Sequence, residues 1–179
     1  MINSTNISAW FKDCAARHPL FLHSESNKRF FELEWDELMA MVKPMAMLDW
    51  SMVLEDYVER YRDNGGDYIS ILSEISFTVM KHVPRNKAVS FKMATWDEAR
   101  TIALGIVGKM KADERDHCDA DVPAGVAPPR LVDLNTLKMV PVQPPYADHA
   151  FGIRATVTWR TDMPVIEFTR DLVAWLPLT

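Results

Sequence analysis

Hydrophobic and polar residues alternate over two neighbouring stretches near the middle of the chain. The first runs from Leu48 to Glu55 and the second from Ile69 to Val79. A period of two places alternate side chains on a core and the others in solvent or against a partner, which is typical of β-strands. The intervening DNGG, Asp63 to Gly66, supplies residues that tolerate the positive φ of a tight reversal. The pattern predicts a long β-hairpin.

The end of this hairpin predicts an interaction surface. Because each arm reaches about a dozen residues, against roughly 5–6 for a usual strand, we expect the tip to project beyond the body of the domain. A strand edge exposed there offers backbone groups that another chain can extend. The residues of this predicted surface are Tyr57, Glu59, Arg60, Tyr61 and Arg62.

Apolar residues spaced three and four apart predict a helix near the start of the chain, ending at His18 and Pro19. Further along, KRFFELE (28–34) predicts a short strand, and EWDELMAMVK (34–43) predicts a short helix that Pro44 stops. The apolar stripe of the first helix contains Ile7, Trp10, Phe11, Cys14 and Ala15.

The most regular helical pattern follows TWDE, Thr95 to Glu98. This sequence fits a capping box, in which the threonine and glutamate side chains bond to each other's backbone amides, so we expect a helix to begin at Thr95. Its apolar stripe continues to Met110 and predicts that the helix lies flat on the sheet. Gly105 and Gly108 lack the pattern of a phosphate-binding loop, and we interpret them as close contacts between helix and sheet.

The last third of the chain predicts a long loop followed by strands. Residues 119–130 are rich in proline and have no apolar periodicity. LKMVPV (137–142) then predicts a strand, which Pro141 favours at an edge or a bulge, and FGIRATVTWR (151–160) predicts another before a turn at TDMP (161–164). The chain is expected to form a single α+β domain over residues 1–179. We expect a mostly antiparallel sheet with a long hairpin packed against an amphipathic helix, plus an N-terminal helix.

The composition of the chain argues against some classes of function. A length of 179 residues with 48% apolar content fits one globular domain. The net charge is −5 and the basic residues are scattered, which argues against direct nucleic-acid binding. We expect no membrane span and no secretion signal, hence a cytoplasmic protein. Cys14 and Cys118 are interpreted as free thiols, with a single disulfide between them as the alternative.

The stretch DERDHCDAD, 113–121, concentrates the side chains most suited to chemistry. On a continuing helix some of them share one face and could hold a divalent cation, so a metal-assisted hydrolase is one alternative function. We favour a solvated helix end, because the glycine and glutamate required by an EF-hand loop are missing and no HExxH occurs. We therefore assign no catalytic residue, metal or cofactor. The weak metal candidates are Asp113, Asp116, His117 and Asp119.

Two charged pairs are further candidate sites. Glu32 and Glu34 project from one side of a predicted strand and could serve acid–base chemistry, although such pairs are common on solvated sheet faces. Arg154 and Arg160 lie on the polar side of their strand, where we favour solvation over binding of an anion or an acidic partner. Neither pair predicts an active site.

In order, the segments give helix, strand, helix, long hairpin around DNGG, helix at TWDE, and terminal strands around GIRATVTWR. This succession resembles the small α+β neck and tail-completion or tail-terminator proteins of tailed phages and prophages. The similarity spans most of the chain and concerns element order, and VPAGVAPPR has no counterpart in it. The resemblance implies a non-enzymatic, ring-forming subunit, associated with the virion, whose partners are itself or other structural proteins. A small protein-binding module that uses the same hairpin without self-association is the remaining alternative.

Overall fold

The computed structural model describes residues 4–32, 50–63, 68–84, 86–119, 131–142 and 150–164. They form two helices and a mostly antiparallel sheet, which confirms the α+β class with an N-terminal helix and a long hairpin packed against a helix. In chain order the elements are α1 (Ser4–Arg17), β1 (Phe30–Glu32), β2 (Ser51–Asp63), β3 (Tyr68–His82), α2 (Val89–Asp119), β4 (Leu131–Val142) and β5 (Ala150–Pro164).

The described strands lie in the order β1-β2-β3-β5-β4. β1 runs parallel to β2, and the other neighbours are antiparallel. The predicted hairpin is confirmed, with 13 residues in β2 and 15 in β3. Its turn, at 64–67, lies outside the described residues, as does the predicted helix 34–43. Of the predicted loop 119–130, Asp119 is the last residue of α2, and residues 120–130 lie outside the described residues.

The hairpin is not a free two-stranded arm, because a third strand accompanies it. β5 pairs with β3 along its whole length, from His82 opposite Ala150 to Tyr68 opposite Pro164. TDMP is therefore the end of β5 rather than a turn, because residues 161–164 continue the ladder with β3. Only the β2 side of the hairpin is left open by the described strands.

Both helices contribute to one hydrophobic cluster with one face of the sheet. Period-two alternation supplies the sheet side of this cluster, and spacing of three and four supplies the helical side. Burying a large apolar side chain stabilises the fold by about 1.5–3 kcal/mol. The sheet residues of the cluster include Met52, Leu54, Ile75, Phe77, Val79, Ile153, Ala155, Val157 and Trp159.

Helix α2 begins at Val89, so the prediction of a start at Thr95 is wrong. The Thr95 hydroxyl donates to the carbonyl of Phe91 at 3.0 Å, and Glu98 pairs with Lys81 at 2.8 Å instead of capping the helix. Thr95 faces the core, and a buried threonine inside a helix satisfies its hydroxyl on the preceding turn. The predicted stripe from Ala99 to Met110 is confirmed as the buried face of α2.

Gly105 and Gly108 do not make the predicted close contact with the sheet. A Cβ atom added at either position would meet no atom within 4 Å. Both are exposed, because the helical spacing turns them away from the buried Ile106 and Met110. Among the described helices, none is long and apolar enough to cross a membrane.

β4 is the last strand of the described sheet at the end opposite β1, which agrees with the edge position that Pro141 favours. Its pairing with β5 is irregular between Asp133 and Lys138. The predicted strand at KRFFELE is present as Phe30–Glu32, and Leu33 and Glu34 lie outside the described residues.

Candidate functional site

The outer side of β2 is the most open part of the described sheet. The described part of β1 pairs with β2 from Met52 to Leu54. Beyond an irregularity between Leu54 and Tyr57, β2 pairs regularly with β3 up to Asp63. No described strand lies along the other side of Tyr57–Asp63, which we call the β2 edge. An edge of this kind presents backbone donors and acceptors for a further strand.

The predicted interaction residues divide between the two faces of this edge. Tyr57 is half-buried and packs against the hydrophobic cluster, and Glu59 is also half-buried. Arg60, Tyr61 and Arg62 are exposed. All five residues thus lie on one short segment of β2, and Tyr57 also packs against the hydrophobic core.

Tyr61 is the largest exposed side chain of the β2 edge, at 58% exposure. Its hydroxyl donates to the Glu59 carboxylate at 3.3 Å. Partial burial raises the pKa of Tyr61, and the nearby Glu59 charge and hydrogen bond raise it further, so the phenol is neutral at physiological pH. On the other face, Arg60 lies 3.8 Å from Glu74 of β3 in an exposed ion pair that contributes little to stability.

Val58 belongs to this site, and the sequence reasoning missed it. It is 54% exposed on the same face as Arg60 and Arg62. The sequence carries one signal that could have identified Val58, because it is a β-branched residue followed by the charged residues of the same strand. An exposed valine at this position offers apolar area to a neighbouring strand.

A buried polar network fixes β2 where the edge begins. Glu55 is buried, accepts a hydrogen bond from the Thr78 hydroxyl at 2.6 Å and pairs with Arg154 of β5 at 2.5 Å. These side chains join three adjacent strands. Arg154 is therefore not simply solvated, as the sequence suggested, because the sheet order brings it to a buried carboxylate. Arg160 is exposed.

The position of β1 depends on His23. Its Nδ1 atom accepts the backbone N–H groups of Arg29 at 3.1 Å and of Phe30 at 3.2 Å. The next backbone contact joins Met52 N–H to the carbonyl of Arg29 at 2.8 Å, which docks β1 onto β2. A neutral imidazole can accept these bonds and an imidazolium cannot.

We therefore predict that acid destabilises the protein through His23. Burial lowers the pKa of His23 from 6.5, the Lys12 and Lys28 charges lower it further, and Glu25 opposes them. Because the folded state favours the neutral ring, the free energy of unfolding should fall as pH drops through about 6.5, the ordinary pKa of histidine.

The free energy of unfolding is measured with urea at about pH 7.5 and about pH 5.5. We expect the difference between the two values to be smaller in His23→Gln than in the unmodified protein. His18 also has a lowered pKa through burial, so His18→Gln should reduce the loss as well, and the two replacements together should reduce it more than either alone. An unchanged pH dependence in His23→Gln would contradict the proposed role.

The acidic stretch at the end of α2 has structural partners. Asp113 accepts the Trp10 indole N–H at 2.8 Å and pairs with Lys109 at 3.1 Å. Glu114 pairs with Lys111 and accepts the backbone N–H of Val132 at 2.8 Å. These two carboxylates tie α2 to α1 and to β4.

The remaining metal candidates stay a prediction. Asp116, His117 and Asp119 lie in α2 as the helical reading required, but their side chains are outside the described part of the chain. Within that part, no group of three histidine, cysteine, aspartate or glutamate side chains could hold a metal ion. Asp113 already has two partners, which leaves it poorly placed to act as a free ligand.

Two other residues weighed in the sequence analysis, Cys14 and Glu32, lie in different surroundings, one buried and one exposed. Cys14 is buried and has no disulfide, and burial raises the pKa of its thiol and so lowers its reactivity. Glu32 is exposed at the rim of a groove of about 800 Å³ between α1 and β1. Its proposed companion Glu34 lies outside the described residues.

No protein-family model and no curated protein matches this chain. The geometry of the site is that of a strand edge that the described strands leave open.

Proposed function

We propose that the protein is a non-enzymatic assembly subunit that self-associates by strand addition at the β2 edge. The observation that supports this most is the stretch Tyr57–Asp63, which no described strand covers on its outer side and which carries the exposed Val58 and Tyr61. Long exposed edges of this kind are normally blocked unless a partner uses them.

The energetics favour strand addition over a flat surface contact. Each new backbone hydrogen bond contributes about 0.5–1.5 kcal/mol net, and several form together along one strand. Burial of Val58 and Tyr61 adds roughly 25 cal/mol for each Å² of apolar surface removed from water. Homo-oligomers of identical chains close by symmetry, so a discrete species rather than an open aggregate is the expected product.

The biological setting we propose is a phage or prophage particle, at the head-to-tail junction or the tail end. The support is the agreement between the order of helix, hairpin and packed helix and that of the small neck and tail-completion proteins. The partners are further copies of the chain or other structural proteins, in the cytoplasm during assembly or in the virion afterwards.

Tyr61→Asp tests the proposed contact. Aspartate is unfavourable in strands and adds a negative charge beside Glu59 and Asp63. We expect the dissociation constant of the oligomer, measured by sedimentation equilibrium, to rise about tenfold or more, which corresponds to about 1.4 kcal/mol.

The matched control is Tyr61→Phe, which keeps the ring and removes only the hydrogen bond to Glu59. It should associate within about twofold of the unmodified protein. Unchanged association of Tyr61→Asp would exclude the β2 edge as the contact. A chain that is monomeric at every concentration would instead favour a small protein-binding module.

A further inference from the structure

The exposed side of α2 carries large apolar side chains of its own. At the start of the helix Val89 and Met93 are 70% and 56% exposed, and Thr95 is the first residue of α2 to be buried. Further along the helix, Leu104 is 46% exposed. A surface helix normally places its large apolar residues on the side that packs against the domain. This second set of apolar residues therefore indicates a contact with another chain.

These residues belong to one exposed stripe of α2, which we call the outer stripe. Spacings of three and four residues keep side chains on one side of an α-helix. The successive spacings along the outer stripe are four, four, three, four and four, an order that is the same in both directions. Its members, all exposed, are Val89, Met93, Asp97, Arg100, Leu104 and Gly108.

The outer stripe is complementary to a reversed copy of itself. When a second helix runs in the opposite direction, the two apolar ends of the stripe exchange positions, and so do the charges at its centre, Asp97 and Arg100. Each aspartate then faces an arginine. Among the described residues, no ion pair uses either of these two charges. Both are therefore available to a second copy of the chain.

We propose that two copies pack α2 against α2 in antiparallel orientation, around a two-fold axis between Asp97 and Arg100. This contact is separate from the β2 edge and does not rest on it. It is isologous, so it closes at two subunits. Each of its pairs occurs twice, and the pairs are Asp97 with Arg100, Met93 with Leu104, and Val89 with Gly108 of the second copy.

An apolar groove beside the outer stripe provides room for the second helix. The groove has a volume of about 710 Å³ and lies between α2 and β4, where Leu134 and Leu137 form the wall opposite Leu104. Its charged lining residues, Lys111 and Glu114, pair with each other at 2.6 Å. The groove therefore presents no unpaired charge to an apolar side chain.

The two-fold axis brings the exposed start of α2 to this groove. In the antiparallel pair, Val89 and Met93 of the second copy lie against Gly108 and Leu104 of the first, and those two residues line the groove. The exposed apolar residues at one end of the helix and the apolar groove at the other end thus cover each other. Burial of both removes apolar surface from water.

Gly108 has a physical role in this arrangement. A Cβ atom added there would meet no atom within 4 Å, so packing within the chain does not require a glycine. Glycine inside an exposed helix destabilises it relative to alanine. In the pair, the missing side chain allows Val89 of the second copy to approach the backbone of α2 closely.

The charges select this register over its neighbours. A two-fold axis at Asp97 would bring two aspartates together, and an axis at Arg100 would bring two arginines together. A parallel two-fold pair would place each charge opposite its own copy. Like charges in contact across an interface oppose association. Only an axis between the two residues pairs each charge with its opposite.

Charge reversal with rescue tests the contact. Asp97→Arg places two arginines together and Arg100→Asp places two aspartates together, so each should raise the dissociation constant about tenfold or more. The double variant D97R/R100D restores opposite charges and should associate within about threefold of its parent. All variants carry Tyr61→Asp, which weakens the β2 edge, so that sedimentation equilibrium reports the α2 contact.

Two further variants show whether the effect is confined to the outer stripe. Leu104→Glu places a carboxylate against Met93 of the second copy and should raise the dissociation constant about tenfold or more. The matched control is Gly105→Arg, which adds a charge to the same helix outside the outer stripe, where an added Cβ meets no atom within 4 Å. It should associate within about twofold of its parent. All substituted positions of α2 are exposed, and circular dichroism verifies that the helix is retained.

Weakening by both single reversals, with recovery in the double variant, supports the α2 pair. Single reversals without effect, a double variant as weak as the single ones, or an equal effect of Gly105→Arg would overturn it. A Tyr61→Asp protein that is monomeric at every concentration would overturn it as well. If Tyr61→Asp leaves association unchanged, the β2 edge is excluded, and the charge reversals decide the α2 pair separately.

Discussion

Replacing Phe77 by alanine is expected to lower the free energy of unfolding by about 3–5 kcal/mol. Phe77 of β3 is fully buried, and its ring centroid lies 5.2 Å from that of Phe11 on α1. Deleting the ring removes buried apolar area and leaves a cavity between the helix and the sheet, where Trp159 also packs on Phe11. Urea denaturation monitored by circular dichroism measures the change.

Phe91→Ala is the matched control, because Phe91 is 44% exposed at the start of α2. It should change stability by less than about 0.5 kcal/mol. A loss below about 1 kcal/mol for Phe77→Ala would contradict the packing of α1 on the centre of the sheet.

The second large effect is expected at the ion pair between Glu55 and Arg154. Arg154→Leu leaves the buried Glu55 carboxylate with only the Thr78 hydroxyl as a described partner. Loss of one member of a buried pair costs about 3–5 kcal/mol, and we expect about 2 kcal/mol here because Arg154 is 44% exposed and solvent screens the pair.

A double-mutant cycle separates this coupling from lost packing. Glu55→Leu combined with Arg154→Leu removes both charges, so the double variant should recover at least about 1 kcal/mol relative to the sum of the single changes. Strict additivity of the two single changes would show that the pair is not coupled.

Local patterns predicted the regular elements well. Period-two alternation identified β2, β3 and β5, and spacing of three and four identified the buried stripe of α2 from Ala99 to Met110. These patterns work because one face of each element is removed from water by the same core. The element type is then fixed by residues that are close in sequence.

The errors arose where a local signal competed with contacts between distant residues. TWDE matches a capping box, but Thr95 is buried and Glu98 pairs with Lys81 of β3, so the helix starts earlier. TDMP has turn residues, yet pairing with β3 extends β5 through it. The length of the two hairpin strands can be read from the sequence. The pairing of β5 with β3 cannot, because it joins residues that are far apart in the chain.

The candidate site was predictable in part. The exposure of Arg60, Tyr61 and Arg62 follows from the charged end of the alternating pattern. The β2 edge itself does not, because it depends on the order of the strands in the sheet, in which the described part of β1 pairs with β2 only as far as Leu54. The acidic stretch was singled out for its composition, and two of its carboxylates, Asp113 and Glu114, fasten α2 to its neighbours.

The most direct test of the account is the absolute mass of the protein in solution, measured by light scattering over a wide concentration range. We expect a discrete species heavier than the 20.5 kDa chain, which dissociates on dilution and which Tyr61→Asp weakens. A mass of 20.5 kDa that does not change at any concentration would contradict self-association through the β2 edge.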